Sequence, residues 1–152
     1  MAGAHYEILW SDLTTGDYLA IALFLVIATA PYVVAAKQQT SLALATVLSL
    51  LLVTFYQMLL EQGLFDFEPR FFLSLIPALA SEPTQAHRFI TAAWLHSGWI
   101  HVLGNIIVIA LAGVPLEQRM GPRRWMAIYI IGNPIRRIGA RRGYITPADM
   151  IT

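Results

Sequence analysis

Two histidines and an asparagine stand at the mouth of a membrane-length apolar run, in the stretch His96-Ser97-Gly98-Trp99-Ile100-His101-Val102-Leu103-Gly104-Asn105. An unsatisfied polar group in such surroundings costs a few kcal/mol, so each needs a reason to be there. His101 and Asn105 are four residues apart, lie on one face of a helix, and can serve one small site together. His96 sits a turn and a half earlier, near the helix entrance. Two other chemistries can be written on these residues. Ser97 with His101 is a nucleophile and base at helical spacing, but nothing nearby would hold a substrate carbonyl against the serine. His87, His96 and His101 are three imidazoles without a carboxylate ligand at a characteristic spacing, which is a weak metal signal. No metal and no cofactor is expected.

The elements that must position these residues live in a bilayer. Of 152 residues, 57% are hydrophobic and 12% charged, about half the charged share of an ordinary soluble domain. Cysteine is absent, which excludes a disulfide framework and a thiolate metal site. Residues 1–17 carry Glu7, Asp12 and Asp17 and no basic residue, unlike the start of a secretory signal, and an uncharged run over 18–36 follows. That run, with Pro31 as a point of kinking or loosening, predicts an anchored transmembrane helix. A second uncharged run, 41–60, follows the short Lys37 linker and completes an antiparallel hairpin. Residues 61–95 form a mixed connection in which Phe71, Phe72, Leu75, Ile76 and Leu79 recur at helical spacing, predicting a short helix in the membrane interface. A third span is expected over 100–116, with Trp94 and Trp99 at one end.

Seven of the ten basic residues follow position 118. By the positive-inside rule the N-terminus lies outside, the Lys37 and arginine-rich ends lie in the cytoplasm, and the histidine end faces outward. A plasma-membrane location is expected. A last apolar run, 125–131, is too short to span and is expected to stop at Gly132-Asn133-Pro134. The basic segment 132–152 reads either as a juxtamembrane tail in contact with anionic lipid or, the favoured reading, as the product of a reading frame interrupted near residue 131. Its arginines are read as topology and lipid charges, not as a nucleic-acid surface.

From about Arg88 to Gly132 the chain resembles the rhomboid family of intramembrane serine proteases. The resemblance is carried by Arg88-Phe-Ile-Thr-Ala-Ala-Trp-Leu-His96-Ser-Gly98-Trp-Ile-His101-Val-Leu-Gly104-Asn105 and by Gly113, Glu117, Arg119 and Gly121. It implies an all-α, polytopic, rhomboid-like helical bundle. Residues 41–131 would be a partial rhomboid domain, with 41–60 the first core helix, 61–95 a membrane-embedded loop, 100–116 the second core helix and 125–131 the start of a third. The run over 18–36 would be an extra helix before the core, making about three transmembrane helices, an interfacial helix and a stub of a fourth. It also implies that His101 and Asn105 donate hydrogen bonds to the oxyanion of a peptide-cleaving reaction and that His96 braces the site. Gly98 and Gly104 are expected to allow close backbone approach. Glu117 and Arg119, two apart, do not face each other on a helix, and each is expected to make its own cap or interfacial contact.

The sequence departs from the family in its chemistry. The family's nucleophile sits in a Gly-x-Ser-Gly turn and its base is a later histidine, whereas this chain contains no Gly-x-Ser-Gly and no histidine after His101. Two readings therefore stand. Either the chain is the N-terminal part of a serine endopeptidase and is inactive alone, or it is a non-catalytic rhomboid-like binder of transmembrane helices. The expected partners are transmembrane substrates or clients, the lipid bilayer, and a C-terminal half or a second copy of the chain, without which three helices and a stub would be poorly stable.

Overall fold

Among the residues that the structure, a computed structural model, describes (13–63, 73, 86–96 and 98–141), every regular element is a helix. They are α1 (Thr15–Gln38), α2 (Leu42–Glu61), the short α3 (His87–Thr91), α4 (Trp99–Met120) and α5 (Pro122–Arg141). Three of these, α1, α2 and α4, are long and apolar enough to cross a membrane, as the uncharged runs predict. The protein is an integral membrane protein built as an all-α bundle. The expected interfacial helix around Phe71 to Leu79 and the tail beyond 141 lie outside the described residues.

Local chemistry sets where each helix begins. Thr14 and Asp17 form a reciprocal capping box, with the Asp17 N–H donating to Thr14 Oγ1 at 3.2 Å and the Thr14 N–H to the Asp17 carboxylate at 2.7 Å. That cap starts α1 three residues ahead of the uncharged run. Pro31 sits inside α1 without ending it, because a proline removes only one backbone bond and α1 has many more. Ser41 caps α2 by accepting from the Leu44 N–H at 3.2 Å.

Polar side chains spread through α1 and α2 join the helices to one another. Ser49 Oγ donates to the Ala28 carbonyl (2.7 Å) and accepts from Trp94 Nε1 (2.9 Å). Tyr56 donates to the Ala20 carbonyl (3.0 Å) and Tyr32 to Thr46 Oγ1 (3.0 Å). Interhelical bonds of this kind hold bundles together where lipid tails compete for every apolar contact. The core gathers around Leu50, Val53, Val102 and Trp125, while Ile100 (91% exposed), Leu111 (74%) and Val108 (63%) present an apolar outer face.

The helix α4 is not α-helical throughout. Over Ile109–Gly113 it widens into a π turn, closed by the Val114 N–H bonding back to the Ile109 carbonyl. Gly113 ends that turn and is buried against Trp125. A Cβ there would lie 3.2 Å from the indole and 3.2 Å from Ile109 Cγ2. Gly113→Val drives two methyl groups further into this contact and is expected to lower the stability of the folded bundle by about 1–3 kcal/mol, read as a lower unfolding midpoint in detergent. Gly121, at φ 87°, occupies the left-handed region where glycine carries no steric penalty, and the chain turns there from α4 into α5.

Two expectations need correction. The apolar run from Trp125 ends at Ile131, but the helix does not: α5 continues through Gly132-Asn133-Pro134 to Arg141, since one proline costs one backbone bond and does not by itself unwind its neighbours. It is still too polar to count among the spanning helices. Among the described residues Gly98 and Gly104 make no close backbone contact, because a Cβ at either would meet nothing within 4 Å.

Candidate functional site

The site is assembled where the first residues of α4 meet the end of α2, the segment after α3, and the middle of α5. Trp94 anchors that segment, its indole N–H on Ser49 and its ring edge-on to Tyr32 and Tyr129, with ring centres 6.4 and 6.5 Å away. Tyr129 stacks on Trp125 at 5.6 Å, which ties α5 to the same wall. His96 follows two residues after Trp94 and is buried at 7% exposure.

Its ring is held at both nitrogens. Nδ1 lies 3.0 Å from the Trp94 carbonyl, which can only accept, so Nδ1 carries the proton. Nε2 is therefore the acceptor and receives the Asn105 carboxamide N–H at 2.8 Å. This chain of bonds fixes the imidazole tautomer and the direction of the Asn105 amide together. His101, exposed and one turn before Asn105, brings its ring to 5.3 Å from that of His96. The three residues singled out by spacing thus form one cluster, and His96 braces Asn105 by a direct bond.

The cluster lines an open cavity of about 340 Å³ whose other walls include Ala92, Leu95, Val108, Ile128 and Tyr129. Its lining mixes the polar side chains of His96, His101 and Asn105 with these apolar walls. Among the described residues no three His, Cys, Asp or Glu side chains come together to hold a metal ion, and His96 and His101 face each other as rings rather than as ligands.

Glu117 lies at the opposite end of α4 and does the work of a cap. Its carboxylate, 7% exposed, accepts from Ser41 Oγ (2.5 Å), the Leu42 N–H (2.8 Å) and the Ala43 N–H (2.8 Å), placing a negative charge at the N-terminus of α2. Arg119 is exposed and, among the described residues, forms no ion pair with Glu117, as their spacing predicts. Gln57 was not singled out by the sequence reading. Its side-chain N–H bonds to the His96 carbonyl at 3.1 Å, and a glutamine in the penultimate turn of a spanning helix was the available signal.

Comparison with known proteins agrees with this arrangement. The Rhomboid domain family matches residues 83–141, the segment containing the cluster, the π turn and the Glu117 cap. RHOMBOID-like protein 7 of Arabidopsis thaliana is 45% identical over 47 residues, 31% of this chain and 15% of that protein. RHOMBOID-like protein 6, mitochondrial, from the same plant is 46% identical over 44 residues (29% and 14%), and Inactive RHOMBOID-like protein 8 is 35% identical over 51 (34% and 14%). The matched segment thus spans about one seventh of each relative's length. No solved structure matches the chain significantly. Residues 83–141 are thus similar to the Rhomboid domain, in a chain that also carries three membrane-length apolar helices and the His96–Asn105 cluster at the head of α4.

Proposed function

We propose that this chain supplies the oxyanion-binding part of a rhomboid-type intramembrane serine endopeptidase, with His101 and Asn105 as the donors and His96 as their brace. The supporting observation is the 2.8 Å bond from Asn105 to His96 beside the His101 ring, in the wall of the cavity. In cleavage of a peptide bond, negative charge gathers on the carbonyl oxygen as the nucleophile adds. Donors fixed in advance and shielded from bulk water stabilise that charge without reorganising. Asn105 keeps a second N–H after bonding His96, and the His101 ring is free to turn a nitrogen to the same oxygen. The serine and the base histidine come from outside these residues, as the sequence contains neither motif. The substrates are transmembrane segments that reach the cavity from the bilayer. In this reading the histidine end faces outward at the plasma membrane, and Arg123 and Arg124 at the start of α5 face the cytoplasm.

The test is complementation. The chain is co-expressed with a membrane segment carrying a Gly-x-Ser-Gly helix and the family's histidine-bearing helix, and cleavage of a transmembrane reporter is followed. Cleavage that needs both parts is expected. A co-purifying pair with serine and histidine present that leaves the reporter intact would overturn the reading. In that case the second reading gains, a non-catalytic rhomboid-like protein that holds transmembrane clients. It is favoured by the similarity to a relative named inactive, and is checked by client capture that is lost in Asn105→Leu.

A further inference from the structure

Gln57 is an expensive residue where it stands. It lies in the penultimate turn of α2 at 4% exposure, and its Oε1 has no hydrogen-bond partner among the described residues. A buried polar atom left unpaired is destabilising, a cost that leucine at this position would avoid. The other end of the same amide is fully engaged. Nε2 donates to the His96 carbonyl at 3.1 Å and to Glu61 Oε1 at 3.2 Å. Turning the amide over would set an oxygen against both of these oxygens, so the direction of the group is determined.

What that donor holds is a residue that no helix holds. His96 lies in the irregular stretch between α3 and α4, and its ring reaches Trp94 on one side and Asn105 on the other. We propose that Gln57 is the positioning residue of the site, fixing the His96 backbone from α2 so that the imidazole meets Asn105 and the Asn105 amide keeps its aim on the cavity. The proposal rests on the reading of His101 and Asn105 as donors for its catalytic consequence, and on geometry alone for the positioning. It assigns the first core helix a part in the site that its apolar sequence conceals.

The experiment uses the whole chain, isotope-labelled, in lipid bicelles. In the native chain a through-hydrogen-bond coupling is expected between Gln57 Nε2 and the His96 carbonyl carbon, with the His96 ring nitrogens in one Nδ1–H form. Absence of that coupling overturns the proposal, whether or not any variant folds. Gln57→Met keeps the volume and donates nothing. It is expected to mix the His96 tautomers and shift the Asn105 side-chain amide toward a free position. Thr54→Val, one turn away on α2 and also buried, is expected to leave both unchanged. Unmoved His96 signals in Gln57→Met, or equal movement in Thr54→Val, overturns the proposal. In the complemented peptidase Gln57→Met is expected to lower kcat about 10- to 100-fold with KM held. If the spectra behave as expected and the complemented pair cleaves nothing, the positioning stands and the peptidase reading falls. If the pair cleaves and the His96 signals never move, the positioning falls alone.

Discussion

Asn105→Leu is expected to lower the turnover of the complemented peptidase about 100- to 1,000-fold while leaving KM near its starting value, the loss typical of removing one oxyanion donor. Leucine fills a similar volume but donates nothing, and it also strips His96 Nε2 of its partner. Two effects are therefore combined, and a second variant separates them. Asn105→Asp keeps the shape but presents an acceptor to Nε2, so the imidazole must take up a second proton to remain bonded. A pH profile that acquires a new acid-favoured limb in Asn105→Asp, absent from Asn105→Leu, would trace the loss to the bond with His96. A Leu variant with turnover within about threefold of the native chain would remove Asn105 from the proposed chemistry.

The second large effect is on stability. Glu117→Ala withdraws the acceptor for the Ser41 hydroxyl and for the backbone N–H groups of Leu42 and Ala43. Each hydrogen bond to a charged group contributes about 1.5–3 kcal/mol, and they do not add fully, so a loss of about 2–4 kcal/mol is expected. Glu117→Gln retains one acceptor oxygen and is expected to lose about half as much. Unfolding midpoints in detergent for the two variants, with the helical signal of the folded state unchanged, make the comparison. Equal midpoints for native chain and Glu117→Ala would show that solvent satisfies the end of α2 without the carboxylate.

Much of this was legible beforehand. Uncharged runs of membrane length delivered α1, α2 and α4 because a bilayer demands internally bonded backbone and allows few alternatives. The spacing of His101 and Asn105 carried the site because helical geometry maps sequence separation directly onto a face. His96 joined them through a non-helical stretch, which helical spacing does not describe, and its part as a brace came from the resemblance. The same resemblance marked Glu117, but its role as a cap depended on Ser41, seventy-six residues away, a contact that no local pattern encodes. Gln57 was hidden for a similar reason, since a lone glutamine among leucines says that something is bonded without saying what. The extent of α5 was misjudged because Gly-Asn-Pro is a strong stop for an isolated helix and a weak one when the helix is packed through Trp125 and Tyr129.

The π turn at Ile109–Gly113 does for α4 what a phase shifter does for a wave. From Asn105 to Glu117, twelve steps of about 100° each would leave the two side chains about 120° apart around a regular helix. The wide turn absorbs one residue and brings them to within about 20°, so that both ends of α4 address α2. A straight helix of the same sequence could present either its carboxylate to the start of α2 or its amide to the histidine that Gln57 holds, but not both. Insertions or deletions of one residue between the two are therefore far more disruptive than their location in lipid would suggest. The tolerance of this segment to length change is a measure of how strictly the cap and the cavity are kept in register.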